Sequence, residues 1–339
     1  MKKVLISSDK NQYKANLHCH STFSDGKLTP EVLKEMYKEH GYDILAITDH
    51  SHPRSHYAMS DPDFLMLTGY EAYIRASGGP YDLFDREIHM NLFAREPYNE
   101  SLVCYDRRYT KYIPEEEFKT IKRVGSEEPR EYNVEYINKF IKTANENGYI
   151  VAYNHPYWSM EEQSDVLAYE GLWTLELRNT GSYLLNRLEC GEMLYDVMLR
   201  RGMRLGVEAG DDNHNGRPVG DPLCDSFGWY TVILADSLEY SNVISAMEKK
   251  DCYVSNGPVI SEVAVEDGVV KLTCSPANDV YLYGGSKHPI HVILPKGETA
   301  TSFELKLDDR MKFFRISVYD TEGRVANTRG FFRDEWETE

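Results

Sequence analysis

The chain has 339 residues, enough for an ample core and more than one domain, and its formal net charge of −17 should repel polyanions, which weighs against a duplex or a long single strand as substrate. No apolar run approaches the ~18 residues of a membrane span, and the basic start Met1-Lys2-Lys3 has no apolar stretch behind it long enough for a signal peptide. Six cysteines, at 19, 104, 190, 224, 252 and 274, lack paired spacing, which predicts reduced thiols in a cytoplasmic protein and no disulfide framework.

In chain order, the first apolar run ends in His18-Cys19-His20. Alternation along a strand sends His18 and His20 to one side and Cys19 to the other, so the pair is a ready-made bidentate ligand. Ser24-Asp25-Gly26 follows. Thr29-Pro30-Glu31 then reads as a helix start, with Val32, Leu33, Met36 and Tyr37 on one face and Gly41 as the stop. The next strand runs from Asp43 into Thr48-Asp49-His50. Asp49 is expected to turn away from His50, either to support the site or as plain structure.

The run Phe64 to Tyr70 leads into Glu71, and the segment around Ile88 places His89 before Met90. Asn133 is expected to cap a helix carrying Ile137, Phe140, Ile141 and Ala144, with Gly148 ending it and a strand leading on to Asn154-His155-Pro156. The run Met203 to Ala209 leads to Gly210-Asp211-Asp212-Asn213-His214, another i, i+2 pair of carboxylate and imidazole. A single histidine such as His89 or His155 is ordinarily a hydrogen-bonded core or rim residue. Six of the eleven histidines beside strand ends is a pattern that reading does not explain.

Strands near 14 to 18, 43 to 48, 65 to 70, 88 to 94, 149 to 154, 172 to 177 and 203 to 209 make seven βα units. Ligands at their C-terminal ends are where barrel active sites lie. Neutral imidazoles and carboxylates suit Zn, Mn or Fe(II). Two such cations, ~3.5 to 4 Å apart in typical two-metal sites, acidify a bridging water to hydroxide and neutralise a phosphoryl group, so hydrolysis is the natural outcome.

The ordered motifs HxH, SDG, TDH, a Glu after the third strand, a lone His, NHP and DxH resemble the polymerase and histidinol phosphatase (PHP) family of metal-dependent phosphoesterases, over about residues 14 to 260. The resemblance implies an α/β fold, a distorted (βα)7 barrel, holding two or three divalent metal ions. It implies one metal on His18, His20, Glu71 and Asp212, a second on Glu71, His89 and His155 with Glu71 as the bridge, and a third on Asp25, His50 and His214.

The barrel, residues 1–257, carries an insertion around 95–132, rich in Tyr and Arg, either an excursion over the mouth or a solvated surface loop. After the helix Leu238 to Lys249, alternating runs at 269–274, 280–283, 291–294 and 313–319 predict a small sandwich-like β domain over 258–339. Arg178 and Arg217 follow strand ends and are candidates to clamp a phosphate, because a guanidinium fork fits it bidentately. His52 and Asp211 are candidates for the general acid or for supporting the ligands.

The expected function is a phosphoesterase acting on a small phosphorylated metabolite of the nucleotide or sugar phosphate class, with neither duplex nucleic acid nor membrane as partner. The alternative is a two-metal hydrolase of a C–N or carboxyl ester bond, which has no need of the arginines. A non-catalytic metal-binding module is the third reading, and the full set of matching ligand positions speaks against it.

Overall fold

The computed structural model describes residues 2–76 and 86–337. Strands β1 (Lys3–Ile6) and β2 (Asn11–Asn16) open the chain, and α1 (Pro30–Glu39) leads to β3 (Ile44–Ile47), β4 (Leu65–Arg75) and β5 (Glu87–Ala94). The insertion contributes the short strands β6 (Leu102–Val103) and β7 (Arg123–Val124), paired with each other, a 3-10 turn at Arg107–Tyr109 and α2 (Glu115–Thr120). Next come α3 (Val134–Glu146), β8 (Tyr149–Tyr153), α4 (Gln163–Val166), β9 (Thr174–Asn179), α5 (Thr180–Asn186), α6 (Glu192–Arg200) and β10 (Gly206–Gly210). The remaining elements that matter below are β11 (Tyr230–Ala235), α7 (Tyr240–Lys249), β12 (Cys252–Ser255), β13 (Ile260–Glu266), β14 (Val269–Ala277), β15 (Asp279–Tyr283), β16 (Ile290–Ile293), β17 (Ala300–Lys306), β18 (Phe313–Tyr319) and β19 (Val325–Thr328).

The seven anticipated strands lie side by side in chain order, β10-β9-β8-β5-β4-β3-β2, and the sheet continues through β11 and β12. Both faces of this run are covered. On β8, Ile150 and Ala152 join Ala15, Ala46 and Leu67 in one apolar cluster, while Tyr149, Val151 and Tyr153 pack with Ile137, Phe140 and Ile141 of α3 in another. Burial on both faces is why these strands read as unbroken apolar runs. Asn133 caps α3 by accepting from the Tyr136 N–H at 2.8 Å, a contact worth about 1 kcal/mol in typical helices.

Two expectations need correction. The strands are not seven successive parallel βα units, because β5 runs antiparallel to both β4 and β8. Only residues 76–86 separate β4 from β5, fewer than the dozen or so that a parallel crossover requires. In α1, Leu33 and Tyr37 are buried as expected, but Val32 faces solvent.

At the site end the two edges of the run meet. The Asp212 N–H donates to the His18 carbonyl at 2.8 Å and the His20 N–H to the Asn213 carbonyl at 3.1 Å, with a parallel bridge between Cys19 and Asn213. The C-terminal strands continue the main sheet, since β12 pairs with β19, which leads to β18, β15 and β16. A second sheet, β1-β13-β14-β17, packs on them around Val263, Leu272, Leu282, Phe314 and Ile316, so the N-terminal strand is shared with the C-terminal layer. Among the described residues no helix is long and apolar enough to cross a membrane.

Candidate metal centre

The chain beyond β2 stays extended, and alternation does what the sequence predicts. His18 and His20 are fully buried toward the site, while Cys19 packs under α1 with Leu33, Tyr37 and Leu45. Gly26 allows the Ser24-Asp25-Gly26 turn to close on this segment, because a Cβ there would stand 2.2 Å from the His20 carbonyl oxygen. Glu71 sits within β4, not at its end, and His50 pairs beside it through a parallel bridge. His89 comes from the start of β5, and because that strand runs antiparallel, its beginning reaches the end of the sheet where its neighbours finish. His155 (φ 23°) and Asp212 (φ 50°) lie in the left-handed region, strain of about 1–3 kcal/mol each for non-glycine residues, which the surrounding contacts maintain.

All nine expected ligand positions converge. Glu71 Oε1 lies 3.1 Å from His18 Nε2, 3.0 Å from His89 Nδ1 and 3.4 Å from His155 Nε2. Its Oε2 lies 2.8 Å from His50 Nδ1 and 3.6 Å from His20 Nε2. Asp212 Oδ1 is 3.0 Å from His20 Nε2 and 3.2 Å from His18 Nε2, and Asp25 Oδ1 is 3.3 Å from His214 Nε2. The grouping differs in detail from the expected one. His50 stands between two sets, near Asp25 and His214 on one side and near Glu71 and His89 on the other, while His155 groups with His18 and Glu71.

These residues fit metal ions better than they fit one another. His18 Nε2, His50 Nδ1, Glu71 Oε2 and Asp25 Oδ1 are buried and make no properly directed hydrogen bond, although their neighbours lie at ion-pair distance. Buried polar atoms are ordinarily satisfied. A set of lone pairs aimed at shared points without hydrogen-bond geometry is the arrangement a divalent cation completes.

The electrostatics carry the same signature. Burial opposes the charge on Glu71, but His89, His18 and His50 outweigh it and hold the carboxyl well below its ordinary range. Asp212 is held down in the same way by His18 and His20. Burial is likewise overcome at His18, held well above the ordinary imidazole range by Asp212, Glu71 and Glu176. The same holds for His89, raised to about 10 by Glu71 and Glu87, and for His214, raised to about 9 by Asp25 and Asp212. His20 goes the other way, to about 4, through burial and the neighbouring His214 and His50.

Without metal, His89 and His214 should therefore hold protons at neutral pH that a metal must displace. Metal binding at pH 7 should release protons, and affinity should rise with pH as His214 and His89 approach their raised values. Calorimetric titration with Mn²⁺ in buffers of different ionisation enthalpy reads this directly. Binding with no proton release would contradict the protonated cluster.

Several supporting residues were not anticipated. Glu176 accepts from His18 Nδ1 at 3.0 Å, from the His155 N–H at 2.8 Å and from Asn179 at 3.0 Å, fixing two ligands at once. Glu87 holds His89 Nε2 at 3.0 Å, and Asn154 donates to Glu71 Oε1 at 2.7 Å. Both acids left signals in the sequence. Glu176 is a charge inside the apolar strand Leu175-Glu176-Leu177, and Glu87 precedes His89 by two, the same spacing as Asp212 and His214. Asp49 turns away from His50 as expected and takes Ser21 and Ser24, and Ser24 Oγ lies 3.4 Å from His20 Nδ1.

The centre opens into a cavity of about 500 Å³ whose lining includes Asp25, His50, Glu71, His89, His155, Asp212, His214 and Arg217. Arg217 is exposed at the mouth. Arg178 is absent from the lining. A bulge at Leu177 sets Ala209 against Arg178 after Glu208 against Glu176, so the alternation breaks and Arg178 turns outward to Glu192 (2.6 Å) and the face of Trp229. His52 is also outside. Ser51 has φ 47°, and beyond it both His52 ring nitrogens are engaged, by the Phe23 carbonyl at 3.1 Å and Glu117 at 2.8 Å. Asp211 is a structural tie, accepting from Tyr37, Thr180, Phe227 and Gly228, with burial pushing its carboxyl up to about 6. The insertion does reach the mouth, where Tyr112 donates to Asp25 at 3.1 Å.

Residues 16–159 match the family model of the PHP domain, so the resemblance read from the motifs is shown over that stretch, which holds seven of the nine converging positions. No curated protein matches the chain. Among solved structures, the chain is similar to a two-domain protein from Bacteroides vulgatus containing a predicted PHP-like metal-dependent phosphoesterase, at 13% identity and TM-score 0.46, covering 97% of both chains. It is also similar to a protein from Bifidobacterium adolescentis described as a metal-dependent phosphoesterase, at 20% identity and TM-score 0.37, covering 62% of this chain and 92% of that one. An amidohydrolase from Chromobacterium violaceum, with bound sulfate and no metal, matches at 19% identity and TM-score 0.40, covering 62% and 93%.

Proposed function

We propose that this chain is a metal-dependent phosphoesterase of small phosphorylated metabolites, working in the cytoplasm. The observation that carries the reading is the convergence of five buried imidazole and carboxylate side chains, His18, His20, Glu71, His89 and His155, with His50, Asp25, Asp212 and His214 at one open cavity. We read the seven-strand run, joined across its edges at Cys19 and Asn213, as the distorted barrel that the resemblance implies.

In this reading, His18, His20, Glu71, His89, His155 and Asp212 would hold two metal ions, and Asp25, His50 and His214 would hold a third. Bound Mn, Fe or Zn would supply Lewis acidity toward water and the phosphoryl group. The protein's own part is to fix those ligands through Glu176, Glu87 and Asn154, and to hold Arg217 at the mouth for the remaining phosphoryl charge. Neither His52 nor Arg178 has a role at the reacting atoms. That only one of the two expected arginines lines the cavity keeps a second reading, hydrolysis of a C–N or carboxyl ester bond, in which no phosphate clamp is needed.

Metal analysis of the purified protein, followed by a screen of phosphorylated metabolites against amides and carboxyl esters, tests both. Two or three equivalents of metal with phosphate release support the proposal. A protein that binds no metal, or cleaves amides or carboxyl esters faster than every phosphoester, overturns it.

A further inference from the structure

The cavity lining is chemically mixed, and beside the carboxylates and imidazoles it includes an apolar wall of Trp158, Leu184, Leu185 and Leu223. Three of these keep large apolar surfaces in solvent, Trp158 at 39%, Leu185 at 80% and Leu223 at 53% exposure. Isolated exposed leucines need no explanation, but here they gather on one cavity with an indole.

Each part of that wall is tied to the backbone that carries the ligands. The indole of Trp158 stands edge-on to His89 and His155, with ring centroids at 4.9 and 4.8 Å. Its turn is held by the buried carboxylate of Glu189, which accepts from the N–H groups of Tyr157 at 2.9 Å and Trp158 at 2.8 Å. The start of α5, which presents Leu184 and Leu185, is docked on the Asp211-Asp212 backbone through the Gly181 N–H, which donates to the Asp211 carbonyl at 2.8 Å. A Cβ at Gly181 would stand 2.9 Å from the Asp212 carbonyl oxygen, so a glycine permits this approach. Asp225 ties the loop bearing Leu223 to the ligand segment by accepting from the His214 N–H at 2.8 Å and the Asn215 N–H at 3.2 Å.

Among the described lining residues, few polar groups remain for a substrate's hydroxyls. On the proposed reading the imidazoles and the carboxylates of Asp25, Glu71 and Asp212 would be taken by the metal positions and Arg217 by the phosphoryl group, and Asp225 is engaged by backbone. Among the described residues, Ser182 alone is left of the polar lining side chains. A sugar's several hydroxyls would lose water there without gaining partners, whereas an alkyl or aryl group would bury surface on both sides.

We infer that this wall is a subsite for an apolar alkyl or aryl group of the substrate, next to the phosphoryl group being released. The inference rests on the phosphoesterase reading and narrows it, setting aside the nucleotide and sugar phosphates. The occupant is taken to be small because the apolar wall and the ligands share one cavity of about 500 Å³.

The test compares the Mn²⁺-loaded parent with the double variant Leu185→Ser/Leu223→Ser, both positions being exposed so that folding is undisturbed. Calorimetry reads binding of n-hexylphosphonate against methylphosphonate, and kinetics reads turnover of n-hexyl phosphate against glycerol phosphate. Glycerol is the better leaving group, so chemistry alone favours the polar ester. The parent should bind hexylphosphonate roughly ten-fold or more tightly than methylphosphonate and prefer hexyl phosphate in kcat/KM. In the double variant both preferences should shrink to within about three-fold at unchanged metal content. Equal affinities, no phosphonate binding, a preference that survives in the variant, or a dimer of the parent that the variant dissolves would each overturn the subsite. Hexylphosphonate preference without turnover of any phosphoester would remove the phosphoesterase reading and leave the subsite. Faster turnover of glycerol phosphate would do the reverse.

Discussion

Replacing Glu71 with Gln should remove metal and activity together. Its two oxygens face five imidazoles, Oε1 toward His18, His89 and His155 and Oε2 toward His50 and His20, and it is the one carboxylate among the described residues that belongs to two of the candidate ligand groups. The amide keeps the volume, and β4 keeps its ladder with β5 through backbone bonds, so the fold should survive. The lost charge weakens every metal position it touches, and kcat/KM should fall by about 100-fold or more with a matching loss of metal equivalents. In the metal-free variant the His89 imidazole should also titrate lower than about 10, since burial lowers it and Glu71 is the largest opposing influence. Elemental analysis, turnover and histidine NMR titration on the same preparation check all three. Full activity at undiminished metal stoichiometry would show that Glu71 is not the bridge.

The ligand positions were legible because the strands obey a simple rule. Apolar runs buried on both faces read as strands, and polar residues just beyond them, at i and i+2, share a side, as at His18 and His20. What that rule misses is every place where the strand stops alternating. The bulge at Leu177 sends Arg178 outward while leaving Glu176 inward, so two residues of identical parity have opposite fates. The left-handed turn at Ser51 does the same to His52. Strand direction was similarly hidden. The reversal of β5 changes neither its composition nor its period, and it places His89 at a strand start where a parallel unit would have put it at an end.

Supporting contacts were less legible for another reason. Glu176 and Glu87 act through imidazole rings, and only tertiary placement distinguishes such a carboxylate from a buried structural acid such as Glu208. Glu208 faces Glu176 in the β9–β10 register, and burial together with that neighbour pushes its carboxyl well above the ordinary range. One acid therefore supports two ligands while its neighbour's carboxyl is only pushed up by burial, although both are glutamates in apolar strands.

The arginines separate phosphate chemistry from its rival. Arg217→Ala should slow phosphoester turnover by about 100-fold or more while leaving bound metal intact, because Arg217 lines the cavity mouth but is absent from the converging ligand groups. Arg217→Lys should rescue only in part, since the ammonium restores charge without the bidentate fork. Arg178→Ala supplies the contrast. Its guanidinium is paired to Glu192 and laid on Trp229, so its loss should leave turnover within about three-fold of the parent. Steady-state kinetics on one phosphoester, with metal analysis of each variant, reads the whole series. An Arg217→Ala variant as fast as the parent would remove the phosphate clamp, and if the parent then cleaved an amide or carboxyl ester faster than any phosphoester, the same ligand cluster would belong to a hydrolase of carbon-centred bonds.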